Sequence, residues 1–220
     1  ANVRLMPAGP KEIYSLESAV GRVIKRQGGP GPGRYRIFRR KIEPPVPAMT
    51  GPSVSWLADL RRWERASLRR NLHALEGFED VVGYSASRPR LGERLLHEEL
   101  TPGALALFNV EFVISSLEAG SVRGLASREI YRDEMNGLAV YRVERWPRAY
   151  WVPEAVRAAS EEEAVRLLGE VDLWRTVILT TDEELEPGET SLRLVPAVVL
   201  DYRPDRVRLR VHAPASGWLV

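Results

Sequence analysis

The sequence predicts an α+β fold: an N-terminal α/β layer with a few strands, followed by a β-rich, sandwich-like C-terminal half. Three observations carry this expectation. Up to Ser115, apolar residues at helical spacing alternate with short β-branched runs, the pattern of helices packed on a small sheet. From Leu138 onward, short runs rich in Val, Leu and Tyr follow one another with turn residues between them. At 220 residues with no cysteine, the chain is long enough to bury a core without disulfide or zinc. The change of character places an α/β subdomain over 1–135 and a β-rich subdomain over 136–220.

The first helix spans 11–27, with Ile13, Leu16, Val20 and Val23 or Ile24 on one face, and it stops at Gly28-Gly29. Residues 34–39 alternate as a short strand, with Tyr35 and Ile37 inward and the arginines outward. Pro44 to Pro52 is irregular, because proline cannot donate to a ladder. Ser53 or Ser55 then caps a helix with Trp56, Leu57, Leu60 and Trp63 on its apolar side, running toward Arg70. Gly77 and Gly83 bracket a loop, Leu91 to Leu100 forms a short amphipathic helix, and Thr101-Pro102 starts another with Thr as cap. Val110 to Ser115 is a buried strand.

In the second half, Leu138–Val143 and Ala149–Val152 are strands, and Ser160 with Glu163 forms a capping box for a helix ending near Leu168. Strands follow at Thr176–Thr180, Leu192–Tyr202 and Val207–Val211, the last two joined by a turn at Pro204-Asp205. In the final strand Val207, Leu209 and Val211 alternate with Arg206, Arg208 and Arg210, which turns the arginines outward. Trp218-Leu219-Val220 reads as the start of a further strand, so the β-rich half is expected to be truncated at its C-terminal end.

The 32 basic and 30 acidic side chains nearly cancel, but unevenly along the chain. Residues 1–50 hold 10 basic and 3 acidic groups, net +7, while 151–220 hold 8 and 13, net −5. Absence of cysteine excludes thiol catalysis, Fe–S clusters and zinc ribbons. The longest stretch free of charge, Pro44 to Ala58, carries four prolines and is too short for a membrane helix, and no signal peptide is expected after Ala1.

The motifs with catalytic overtones have structural readings. His73, His97 and His212 show no metal-ligand spacing, and His97-Glu98-Glu99 reads as a solvated face, so neither a metal nor a cofactor is expected. Residues 28–33 are glycine-rich, but two prolines remove the N–H donors a phosphate cradle needs. Residues 83–87 partly fit Gly-x-Ser-x-Gly, with Ser87 in the last place, and read as a polar loop. The acids Glu161–Glu163 suit a helix N-terminus, and Asp182, Glu183, Glu184 and Glu186 suit a turn. They also keep open an alternative, a free-standing carboxylate-based glycoside hydrolase. Arg34 to Lys41 carries Tyr35 and Phe38, yet the strand pattern explains it without nucleic acid, which is not an expected partner. The aromatics Tyr141, Trp146, Tyr150 and Trp151 suit a core better than a sugar-binding platform.

Several stretches, in order, resemble the soluble extracytoplasmic part of the YfhO family of bacterial multi-spanning membrane proteins. Asn2, Pro10-Lys11-Glu12-Ile13-Tyr14 and Arg34-Tyr35-Arg36-Ile37-Phe38 resemble the start of that domain. Residues 71–78, from Asn71 to Phe78, leading to Gly83-Tyr84, are similar to its Asn-rich loop and Gly-Tyr pair. Residues 105–114 match its leucine-rich segment, with Phe112 in place of the usual Tyr. The most specific stretch joins Val140-Tyr141-Arg142-Val143, residues 146–152 and residues 160–164.

The resemblance implies a parent of the C-class glycosyltransferase type, which moves sugars from polyprenyl-phosphate donors on the extracytoplasmic side of the bacterial cell membrane. The acidic catalytic residue of such enzymes lies in an early loop that this chain does not contain, so no catalytic residue is assigned here. The implied role is to shape the acceptor side or to bind glycan. The implied partners are the membrane-embedded part of the same protein and a cell-surface glycan or polyprenyl-phosphate sugar. Asn71, Tyr84, Trp146 and Arg148, in or beside loops, are the candidate ligand-binding residues.

Overall fold

The computed structural model describes residues 17–28, 36–40, 42, 54–69, 72–81, 92, 94–98, 100–119, 124, 126–144, 146–183, 185, 191–203 and 205–220, with the side chains of 54–59, 97 and 98 left aside. The fold is mixed α+β with a β-rich C-terminal half. It divides into two compact units, neither continuous in sequence. The first takes 1–86 and 110–144, and the second takes 87–109 and 145–220.

In the first unit, helices α1 (Ala19–Gly28) and α2 (Val54–Ala66) accompany strands β1 (Arg36–Arg40), β2 (Glu79–Asp80), β3 (Val110–Ser116), β4 (Ser127–Asp133) and β5 (Leu138–Val143). The sheet order is β2-β1-β3-β5-β4, parallel from β2 to β3 and antiparallel from β3 to β4. Val20 and Ile24 of α1 and Trp63 of α2 pack with Ile37, Phe112, Ile114, Leu138 and Val140 of the sheet. Of the alternatives Val23 and Ile24, the latter enters the core.

Strand β3 is buried along nearly its whole length, as a strand covered on both faces is, with Glu111 and Ser115 buried among its apolar residues. The same burial overrides the alternation read in 34–39. Ile37 and Phe38 are both buried, and Arg39 turns its guanidinium onto the buried carboxylate of Asp80 instead of outward. Tyr35 lies outside the described residues. β1 is an interior strand between β2 and β3, with Ile37 and Phe38 buried side by side along it.

The boundary expected between 135 and 136 falls in the β4–β5 turn, inside the first unit. Leu138 to Val143, assigned from sequence to the β-rich half, pairs with β3 in the register Ile114↔Val140. Ordering by sequence failed here because β5 is inserted between β3 and β4, and both neighbours belong to the first sheet.

The second unit holds helices α3 (Pro102–Leu107) and α4 (Glu161–Leu167) and strands β6 (Tyr150–Val152), β7 (Glu154–Ala158), β8 (Thr176–Thr180), β9 (Val195–Pro196), β10 (Val198–Arg203), β11 (Arg206–Arg210) and β12 (Trp218–Leu219). The strands form three small sheets: β12-β6-β9, the parallel pair β7-β8, and the hairpin β10-β11. Helix α4 joins β7 to β8, making a short βαβ unit. The 192–202 run is two strands. Val195 and Pro196 pair with β6, and from Val198 the chain pairs with β11 instead. The helix expected over 91–100 is a single π-helical turn at Arg94–Glu98.

Two of the three predicted caps form, and the one expected at Ser53 or Ser55 lies outside the described side chains. The Ala104 N–H donates to Thr101 Oγ1 at 3.1 Å. The Glu163 N–H donates to Ser160 Oγ at 3.2 Å, and the Glu163 side chain reaches back past the N-cap to accept the Ala159 N–H at 2.8 Å, one residue before the Ser160 N–H of a regular capping box. Two apolar clusters fill this unit: Trp146, Tyr150, Val152 and Leu173 in one, Leu95, Ala104 and Val165 in the other.

Candidate functional site

The candidate ligand residues fare differently. Asn71 and Tyr84 lie outside the described residues, as do residues 29–33 and 83–87. Trp146 and Arg148 both belong to the second unit, two residues apart, and point to different tasks.

Trp146 is a core residue. Its ring meets Tyr150 edge to face at 5.6 Å and Trp174 at 4.7 Å, and its carbonyl accepts the Asn109 side-chain amide. Asn109 sits at φ 54°, a left-handed conformation that Asn tolerates better than most residues. Burial pushes the Tyr150 hydroxyl up to about 12, which marks the interior of this cluster as poorly solvated. Trp151 is buried as well, and Tyr141 belongs to the first unit. The aromatic group is therefore packing, and its faces are used by one another.

Arg148 is directed at the hairpin. Its guanidinium lies over the Tyr202 ring, 4.8 Å from the centroid, and donates to the Tyr202 hydroxyl. Sequence reasoning did not single out Tyr202. Its signal was its place opposite Val207 in the hairpin, on the face opposite the arginines.

The acidic groups serve local structure. Glu163 closes the cap of α4, Asp182 lies 3.5 Å from Arg157, and Glu154 binds Arg175 at 3.0 Å and accepts the Thr176 hydroxyl. Glu184 and Glu186 lie outside the described residues. In the first unit, Glu76 binds Arg65 at 2.6 Å and accepts the Ser18 N–H at 2.9 Å, and Glu111 binds Arg142 at 2.8 Å. His73 is buried with Nδ1 3.7 Å from Asp80, whose carboxylate already holds Arg39. Burial holds its imidazole below the ordinary range, with Arg39 pushing the same way and Asp80 opposing. Among the described residues no group of three His, Asp or Glu side chains is placed to hold a metal ion. No helix among them is long and apolar enough to cross a membrane.

No family model, curated protein or solved structure matches the chain.

Proposed function

We propose that the chain is a non-catalytic, extracytoplasmic domain of a polytopic bacterial membrane protein of the YfhO, lipid-linked-sugar glycosyltransferase type, where it shapes the acceptor side or holds glycan. One observation carries the reading. Where the stretches that bear the resemblance are described, they fall on the scaffold: β1, the α3–β3 segment, β5, the Trp146–Val152 run and the capped start of α4. Among the described residues these stretches supply core and cap positions. Of the acids in the C-terminal half, where a hydrolase would draw its carboxylates, Glu163 caps α4, Glu154 pairs with Arg175, Asp182 with Arg157, and Asp201 with Arg203 and Arg206. Of the two ligand candidates among the described residues, Trp146 is buried and Arg148 is half-buried, stacked on Tyr202.

The experiment is to read the coding sequence on both sides of this chain in the source DNA. Apolar runs of about twenty residues are expected on the flanks. An ordinary start and stop without them would overturn the membrane reading and return the acidic clusters to consideration as a glycosidase. In that case a panel of chromogenic glycosides would be hydrolysed with a bell-shaped pH profile, whereas the proposed domain turns over none of them.

A further inference from the structure

The hairpin β10–β11 is a pair of strands with no third strand beside it among the described residues, and isolated two-stranded hairpins are marginal in water. Of the nine large apolar side chains exposed among the described residues, four lie in it: Val198 (51%), Leu200 (54%), Tyr202 (37%) and Val207 (49%). Single exposed apolar residues are ordinary on any surface, but a concentration on one ribbon marks an interaction surface.

The charge on the same ribbon decides what kind of partner. Register pairs Tyr202 with Val207 and Val199 with Leu209 on one face, and Asp201 with Arg208 and Val198 with Arg210 on the other, with Leu200 at the bulge between. Asp201 is engaged by Arg203 and Arg206. Arg208 and Arg210 are exposed and have no acidic partner among the described residues. The acidic surplus of residues 151–220 lies elsewhere, since the hairpin holds four arginines against Asp201 and Asp205.

We infer that this hairpin docks on an anionic lipid surface, with Val207 and Leu200 entering the headgroup layer and Arg208 and Arg210 binding lipid phosphates. A ribbon of two strands is only about 5 Å between backbone axes, so arginines on its far face reach round its edge to the phosphates while their stems cover apolar surface. Aliphatic groups and guanidinium together are what an anionic interface takes up. A single-stranded nucleic acid would need an open aromatic face, and that of Tyr202 carries Arg148. The inference deepens the membrane reading above by naming the surface that meets lipid. It can fail while the flanking sequence still shows membrane helices, and it can succeed without them.

Flotation of the protein with vesicles tests it. The protein floats with phosphatidylcholine vesicles in which about a third of the lipid is phosphatidylglycerol, and is left behind by phosphatidylcholine alone. Replacing Arg208→Gln and Arg210→Gln together lowers the partition roughly thirty-fold, about fivefold for each charge. Leu200→Ser with Val207→Ser lowers it by about tenfold or more. If the serine variant loses its circular dichroism spectrum, the arginine variant, which removes no described contact, decides alone. Equal flotation with neutral vesicles, no flotation, or flotation unchanged by the arginine variant overturns the inference. A dimer in sedimentation velocity that Val207→Ser dissociates, without flotation, assigns the face to a second copy instead.

Discussion

At the scale of single residues, the first unit is fixed by polar groups placed where the chain has little room. Gly21 lies so close to the Glu76 carboxylate that a Cβ there would overlap it, and the Gly21 N–H donates to Ser18 Oγ at 2.8 Å. Gly21 lies in the first turn of α1, and its lack of a side chain makes space for the Ser18–Glu76–Arg65 network. His73 yields a pH prediction. Its folded pKa lies below the ordinary value of about 6.5, so in mild acid the unfolded chain takes a proton that the folded chain does not. Its contribution is fully present above that value and is lost as the pH falls below it. Thermal midpoints measured from about pH 7.5 down to about pH 5 are expected to fall, and His73→Gln to flatten that part of the profile. A slope unchanged in the variant would assign the effect to the carboxylates.

At the scale of elements, what was legible in the sequence is what local chemistry decides. Ser160 with Glu163 and Thr101 with Pro102 announced their helices, and both caps form with the side chains named. Ser160→Ala is expected to cost about 1 kcal/mol, read as a lower urea midpoint at unchanged slope, because it orphans the Glu163 N–H. Ser160→Asp should restore the midpoint, since its carboxylate accepts the same bond. Strands were less legible where neighbours set the environment. β4 reads Ser-Arg-Glu-Ile-Tyr-Arg-Asp and gave no strand signal, being a largely exposed edge that its pairing with β5 holds in place. β7 is likewise made by its parallel partner β8, which becomes adjacent only after α4 returns the chain. The candidate site was legible only in part, for a related reason. An aromatic such as Trp146 looks the same in sequence whether it faces sugar or Trp174, and only the packing separates it from Arg148.

At the scale of the whole molecule, the chain passes between its two units three times, and this sets how it can be divided. A cut between 135 and 136, where the composition changes, removes β5 from between β3 and β4. Leu138, Val140 and Val143 are buried in that strand, and each buried aliphatic side chain contributes about 1.5–3 kcal/mol. Their loss together, roughly 5–9 kcal/mol, is comparable to the whole stability of an ordinary domain, about 5–15 kcal/mol. β4 would also lose its neighbour among the described strands. The fragment 1–135 is therefore expected to show no cooperative thermal transition and to be digested rapidly by protease. Mixing it with 136–220 should restore both properties if the two pieces reassociate through β5, and Val140→Asp in the second piece should abolish that rescue, since it places a carboxylate opposite Ile114 in the core. A cooperative transition in 1–135 alone would mean that β1, β2 and β3 with their two helices suffice, and that the units part where the composition does.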